Sequence, residues 1–176
     1  MGKSFREWME PKTKVYEDEK AIEVSYSDPS VRGYIHAERD PDNPSVYRVN
    51  RVTVNPQGKG YGKKLYQIAL DLVTKRGGVL APAKKQTSDS AMNVWRSLYG
   101  NSNVDKTAFA TKDWGFGSRH EQMLRKYPGL RFADPKTHPP KEDADWWALN
   151  SGYRSSGTQK KPTQTQSQDE LSLEDI

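Results

Sequence analysis

The chain has 176 residues, enough for one domain with a real core and an appendage. It has no cysteine, which excludes a disulfide framework, a thiolate nucleophile and a cysteine-ligated metal. Hydrophobic residues make up 33% and the mean hydropathy is −1.00, so part of the chain is expected outside the core, and no apolar run reaches membrane-spanning length. The net charge of +5 is uneven: residues 155–176 set two lysines against four acids and leave +7 on the rest. A basic body suits an anionic ligand and an acidic tail suits a protein surface, although both also serve solubility.

Residues 1–20 are polar and mixed, and Phe5, Trp8 and Met9 line one side of a short helix before Pro11. Met1 to Pro11 is charged throughout and does not read as a secretory signal. Ala21–Tyr26 and Val31–Arg39 alternate around the turn cluster Ser27-Asp28-Pro29-Ser30, which predicts an antiparallel hairpin. Ser45–Val54 reads as a long strand whose apolar phase slips between Val49 and Val52. A β-bulge repairs such a slip, and a strand buried on both faces accounts for it equally well.

The run Val52-Thr53-Val54-Asn55-Pro56-Gln57-Gly58-Lys59-Gly60-Tyr61-Gly62-Lys63-Lys64-Leu65 is strand, glycine loop and helix start. Glycines let backbone N–H groups converge, and a helix N-terminus adds unpaired N–H groups and a positive dipole end. That combination binds phosphate. The following helix repeats Leu65, Ile68, Ala69, Leu72 and Val73 and ends at Gly77-Gly78. Val79–Ala81 is a short buried strand, and Ser88 caps a second helix carrying Ala91, Val94, Trp95, Leu98 and Tyr99. Strand, helix, strand and helix in this order imply an α/β unit with a parallel crossover. Thr107–Thr111 and Leu130–Ala133 are expected strands and His120–Tyr127 a short helix. Pro135, Pro139 and Pro140 then precede the patch Asp145-Trp146-Trp147-Ala148-Leu149, which docks on the domain or on a partner. Residues 155–176 have the composition of a disordered tail, and Leu171, Leu173 and Ile176 give its end a docking character.

Two nucleotide motifs fail at the loop. A dinucleotide fingerprint needs glycine where Lys63 stands, and a triphosphate loop needs its second glycine at the same position. The pattern Gln57-x-x-Gly60-x-Gly62, after a strand ending Val54-Asn55-Pro56 and before Leu65-Tyr66, resembles the acetyl-CoA pyrophosphate loop of the GNAT N-acetyltransferase superfamily. The resemblance covers roughly residues 20–100. It implies an α/β fold with a mixed, mostly antiparallel central sheet flanked by helices, here a domain at 21–134 with an N-terminal segment at 1–20, a proline- and tryptophan-rich extension at 135–154 and the tail at 155–176. It implies acetyl-CoA as cofactor, with Gln57, Gly58, Lys59, Gly60, Tyr61, Gly62 and Lys63 around the pyrophosphate and Val52 and Val54 beside the pantetheine arm. Lys59, Lys63 and Lys64 are charges within reach of the ribose phosphate. The implied reaction is acetyl transfer to an amine.

That reaction needs a polarised carbonyl, a base for the ammonium and an acid for the leaving thiolate. A backbone N–H around Asn50–Val52 suits the first. Glu38 and Glu23 are candidates for the second, with solvated strand positions as their ordinary alternative. Many family members carry the acid as a tyrosine on the second helix in a pattern close to N-x-x-A-x-x-x-Y. Here Ser88 replaces the asparagine, Ala91 matches, and Trp95 occupies the tyrosine position. Tyr99, one turn on, is a candidate acid and equally a core residue, and Tyr61 and Tyr66 are near in sequence. His36, His120 and His138 have no metal-ligand spacing. No nucleic-acid motif accompanies Lys84 and Lys85. Gly77-Gly78-Val79-Leu80 followed by Ser88–Leu98 with its Trp95 is similar to small GNAT-like proteins of tailed bacteriophages, some of them virion components. The alternative this implies is a non-catalytic structural component of a virion or other large assembly, held by its tail 155–176. The expected location is cytoplasmic, or the virion under that alternative.

Overall fold

The computed structural model describes residues 12–128 and 144–157. The expected helix at Phe5–Met9, the expected strand Leu130–Ala133 and the tail beyond Gly157 lie outside the described residues. The architecture is mixed α/β: a seven-stranded sheet in the order β1-β2-β3-β4-β5-β7-β6, antiparallel except for the β4/β5 pair. The strands are β1 (Lys12–Glu17), β2 (Ala21–Ser27), β3 (Arg32–Arg39), β4 (Val46–Asn55), β5 (Val79–Pro82), β6 (Val104–Ala108) and β7 (Ser151–Ser155). The helices are α1 (Tyr61–Lys75), α2 (Asp89–Gly100), α3 (Ser118–Lys126) and α4 (Ala144–Leu149). Among the described residues no helix is long and apolar enough to cross a membrane, and no group of three metal-binding side chains gathers.

The hairpin turns are set by aspartates that collect backbone N–H groups. Asp18 Oδ1 accepts from the Lys20 and Ala21 amides at 2.7 and 2.8 Å, and Asp28 Oδ1 accepts from those of Ser30 and Val31, each at 2.7 Å. Ile22, Val24 and Tyr26 on β2 and Gly33, Ile35 and Ala37 on β3 turn to one buried face. Helix α1 lies on that face and buries Leu65, Tyr66, Ala69, Leu70 and Val73. Its stripe is rotated from the expected one, leaving Ile68 and Leu72 only partly buried. Each large side chain sealed here stabilises by roughly 1.5–3 kcal/mol.

Strand β4 contains the bulge. His36 pairs with Arg51 but Ala37 pairs with Val49, so Asn50 is the extra residue. Both Val49 and Val52 therefore pack toward the α1 core despite the slip in phase. On the opposite face, Val46, Ala81 and Phe109 form a second cluster with Trp114.

The C-terminal elements differ from the expected layout. The β6 strand spans Val104–Ala108, and Thr111 instead opens a short 3-10 turn to Asp113. The segment read as an extension supplies β7, which is inserted between β5 and β6. Residues 144–155 thus share one core with the rest of the sheet. Trp146 and Trp147 dock on their own domain, buried with Tyr99, Trp114, Met123, Leu124 and Tyr127.

Candidate functional site

The parallel β4/β5 pairing runs from Val46↔Val79 to Val49↔Pro82 and stops there. Pro82 has no N–H to extend a ladder. Its carbonyl accepts from Arg48 Nη1 at 3.1 Å, and Arg48 Nη2 bonds the Asp113 carbonyl at 2.9 Å. The guanidinium is buried over the Phe109 ring, and Arg48 Nε donates to Asp40 Oδ2 at 2.7 Å. Burial pushes the Asp40 carboxyl up, but Arg48, the Asp42 amide and Lys84 outweigh it and hold the group below its ordinary range. A buried ion pair thus fixes the point at which the strands part.

Beyond that point β4 is paired on the β3 side alone. A slot of about 450 Å³ opens along it, walled by Val49–Val52, by Tyr66 from α1, and by Ser88, Ala91 and Trp95 at α2. From Asn50 to Val54 the free edge runs roughly 13 Å at about 3.3 Å per residue, with peptide groups open to an extended amide-bearing ligand.

At the far end of β4 stands the glycine loop. Gly58 and Gly60 have φ of +79° and +81°, which only glycine adopts without strain, while Gly62 is an ordinary first-turn helical residue. No side chain caps α1, and its first turn carries no acid but Lys63 and Lys64. Among the described residues the first amide of this helix with a backbone partner is that of Lys64, which reaches the Gly60 carbonyl at 3.4 Å. Among the described residues the amides from Gly58 to Lys63 have no hydrogen-bond partner, and Lys59, Lys63 and Lys64 flank them in sequence. This arrangement opposes the usual helix-dipole preference by about 0.3–1 kcal/mol per charge unless an anion sits there. Gln57, Lys59 and Lys63 are exposed at the loop, and the ammonium of Lys64 lies over the Tyr61 ring at 5.4 Å. Tyr61 packs on Tyr26, and Val52 and Val54 line the strand beneath.

A larger cavity of about 1080 Å³ adjoins the slot and shares Asn50, Ala83 and Gln86 with it; its walls include Glu19, Glu38 and Asp42. Glu38 is exposed there, and its Oε2 accepts from Asn50 Nδ2 at 3.0 Å. Asn50 Oδ1 lies 2.6 Å from His36 Nδ1, and His36 Nε2 lies 3.7 Å from Glu23. Glu23, His36, Asn50 and Glu38 thus form a polar chain across β2, β3 and β4, with Asn50 at the junction of the two cavities.

The structure separates Tyr99 from the slot. Tyr99 is half-buried against Trp146 and Trp147 and does not line the slot. Trp95 does, at 1% exposure, stacked on Tyr153 with centroids 5.5 Å apart. Tyr66 meets Trp95 edge-on at 5.2 Å and lines the slot beside it. Sequence reading passed over Arg48, weighed His36 only as a metal ligand and Asn50 only for its backbone, and gave neither side chain a place in the site. An arginine in a strand reads as solvent-facing, and the partners of Asn50 come from another strand. The phase slip at Val49–Val52 was the one signal that pointed to this place. No known protein family, curated protein or solved structure matches this chain significantly.

Proposed function

We propose that the chain binds acetyl-CoA along β4 and transfers the acetyl group to an amine. The observation that carries the reading is the parting of β4 and β5 after Val49/Pro82 into a slot that follows β4 toward the glycine loop. The loop amides from Gly58 to Lys63 would take the pyrophosphate. The free edge at Asn50–Val54 would take the amides of the pantetheine arm. This puts the thioester near the bulge, where a backbone N–H around Asn50–Val52 polarises its carbonyl. The acceptor enters by the larger cavity, where Glu38, held by Asn50, receives a proton from the ammonium. The amine nitrogen then attacks the carbonyl carbon, a C–N bond forms and the C–S bond breaks.

Calorimetry with acetyl-CoA tests the reading. Saturable binding is expected, and Gly60→Val, which forces a β-branched residue to a φ of +81°, should abolish it. A folded wild type that gives no binding heat would sink the proposal.

One observation favours a second reading, a non-catalytic component of a bacteriophage virion or other large assembly. The slot wall at the expected tyrosine position is the indole of Trp95, which has no proton of useful acidity. In that case deletion of residues 158–176 should release the protein from its assembly. An assembly that forms equally well without them argues against it.

A further inference from the structure

We infer that His36 is a positioning residue that acts through Asn50: its protonation sets which end of the Asn50 amide faces Glu38, and so whether that carboxylate is pinned or ready to take the acceptor's proton. This rests on the acetyl-transfer reading above, in which Glu38 is the base. Asn50 is the extra residue of the β4 bulge, so its side chain stands outside the cross-strand pairing and meets two residues of β3 at once. Asn50 Nδ2 lies 3.0 Å from Glu38 Oε2, and Asn50 Oδ1 lies 2.6 Å from His36 Nδ1. A carboxylate has no proton to give, so the amide must turn its nitrogen to Glu38. Its oxygen then faces His36, whose Nδ1 must carry a hydrogen. On the other side of the ring Nε2 lies 3.7 Å from Glu23 Oε1, an ion pair only when the imidazole is charged. The imidazolium, a donor at both nitrogens, satisfies both neighbours.

Loss of one proton from the ring reverses the amide. The remaining hydrogen goes to Nε2, toward the Glu23 carboxylate, and Nδ1 becomes an acceptor. Asn50 then gives Nδ2–H to His36 and turns Oδ1 to Glu38. That oxygen offers nothing to a carboxylate, but it accepts from the O–H that Glu38 becomes on taking the ammonium's proton. The imidazolium therefore pins the carboxylate, and the neutral ring prepares a place for the transferred proton. Asn50 lines both the slot and the larger cavity, which puts this turn where the amine meets the thioester. The other titratable and charged groups on this face are Tyr34, which hydrogen-bonds Glu23, Arg51, across β4 from His36, and Arg48, across β4 from Glu38 and committed to Asp40. Tyr16 stands across β1 from Glu23, and Glu19 and Lys20 line the cavity beside Glu38. Among the described residues only His36 and Glu38 bond the Asn50 amide, so they decide its orientation.

The test uses the full chain without ligand. Nitrogen-15 NMR follows the Asn50 side-chain amide and the His36 ring nitrogens over the pH range in which the imidazole titrates. In the wild type the Asn50 amide signals should shift with a single inflection at the same pH as the His36 nitrogens, and above it Nδ1 should carry the shift of a bare nitrogen. His36→Asn places an amide N–H where Nδ1–H stands and cannot titrate, so its Asn50 signals should stay at the low-pH positions throughout. Asn50 signals that hold still while the imidazole titrates, or that still shift in His36→Asn, overturn the assignment and leave the cofactor reading intact. A wild type that follows the expected course but gives no heat with acetyl-CoA keeps the coupling and overturns the reaction it was assigned to.

Discussion

The two ends of β4 behave oppositely although they are one strand. From Val46 to Val49 it is paired on both edges, its side chains are buried on both faces, and Arg48 is consumed by internal partners. Past the unpaired Asn50, from Arg51 to Asn55, it is paired on one edge, its side chains are half-buried or exposed, and it leads to a loop whose amides have no partner among the described residues. Two residues separate the regimes: Pro82, which cannot continue the ladder, and Asn50, which breaks the register toward β3. The closed end is built for stability, and the open end leaves backbone groups that the fold itself does not satisfy. Unsatisfied groups placed beside a rigid anchor are what a binding slot requires.

The largest expected effect lies at the closed end. Arg48→Met removes the closer of Asp40's two buried ion pairs, leaving Lys84 at 3.3 Å, and takes the donor from the Pro82 and Asp113 carbonyls, which should cost about 3 kcal/mol in denaturant unfolding. The pair also predicts a pH dependence. Asp40 is held below its ordinary value of 3.8, so its stabilising contribution is complete above that value and is lost as pH falls through the folded-state value. The stability gap between wild type and Asp40→Asn should therefore be widest above pH 3.8 and narrow in acid; a gap that stays constant with pH breaks the assignment of the shift to this pair.

At the open end the expected loss is in binding rather than stability. A Cβ on Gly62 would meet only Val54 Cγ2, at 3.9 Å, so the fold has room there. Gly62→Asp puts an acid in a first turn that has none, which should stabilise α1 by about 0.3–1 kcal/mol. The same carboxylate faces the pyrophosphate, and acetyl-CoA affinity should fall by about ten- to a hundredfold. Loss of stability and affinity together would erase the contrast between the two ends. The smallest effect belongs to the helix that closes the slot: Ser88 Oγ accepts from the Ala91 amide at 3.2 Å, and Ser88→Ala should cost about 1 kcal/mol.

The open end was more legible in the sequence than the closed one. Gly58, Gly60 and Gly62, the α1 periodicity and the phase slip at Val49–Val52 are local patterns, and each found its counterpart in the bulge and the loop. The strands from β2 to β5 and the cap at Ser88 were local as well. What escaped depends on contacts distant in sequence. The parting of β4 from β5 follows from Pro82 and from Arg48 reaching a carbonyl of residue 113. The edge strand β1 is polar, with Val15 46% exposed, and has no pattern without β2 beside it. The place of β7 inside the sheet is a matter of topology, which a short Ser-Gly-Tyr segment does not announce.

The central claim is that the open end of β4 and the glycine loop form one continuous coenzyme site. Titration of isotopically labelled protein with acetyl-CoA, followed by backbone amide NMR, tests it most directly. The largest shifts should fall on the amides from Gly58 to Lys63 and on the free edge from Asn50 to Val54, saturating together with a single affinity, while Val46–Val49 stays unmoved. Shifts confined to the loop, with the β4 edge silent, would contradict the claim.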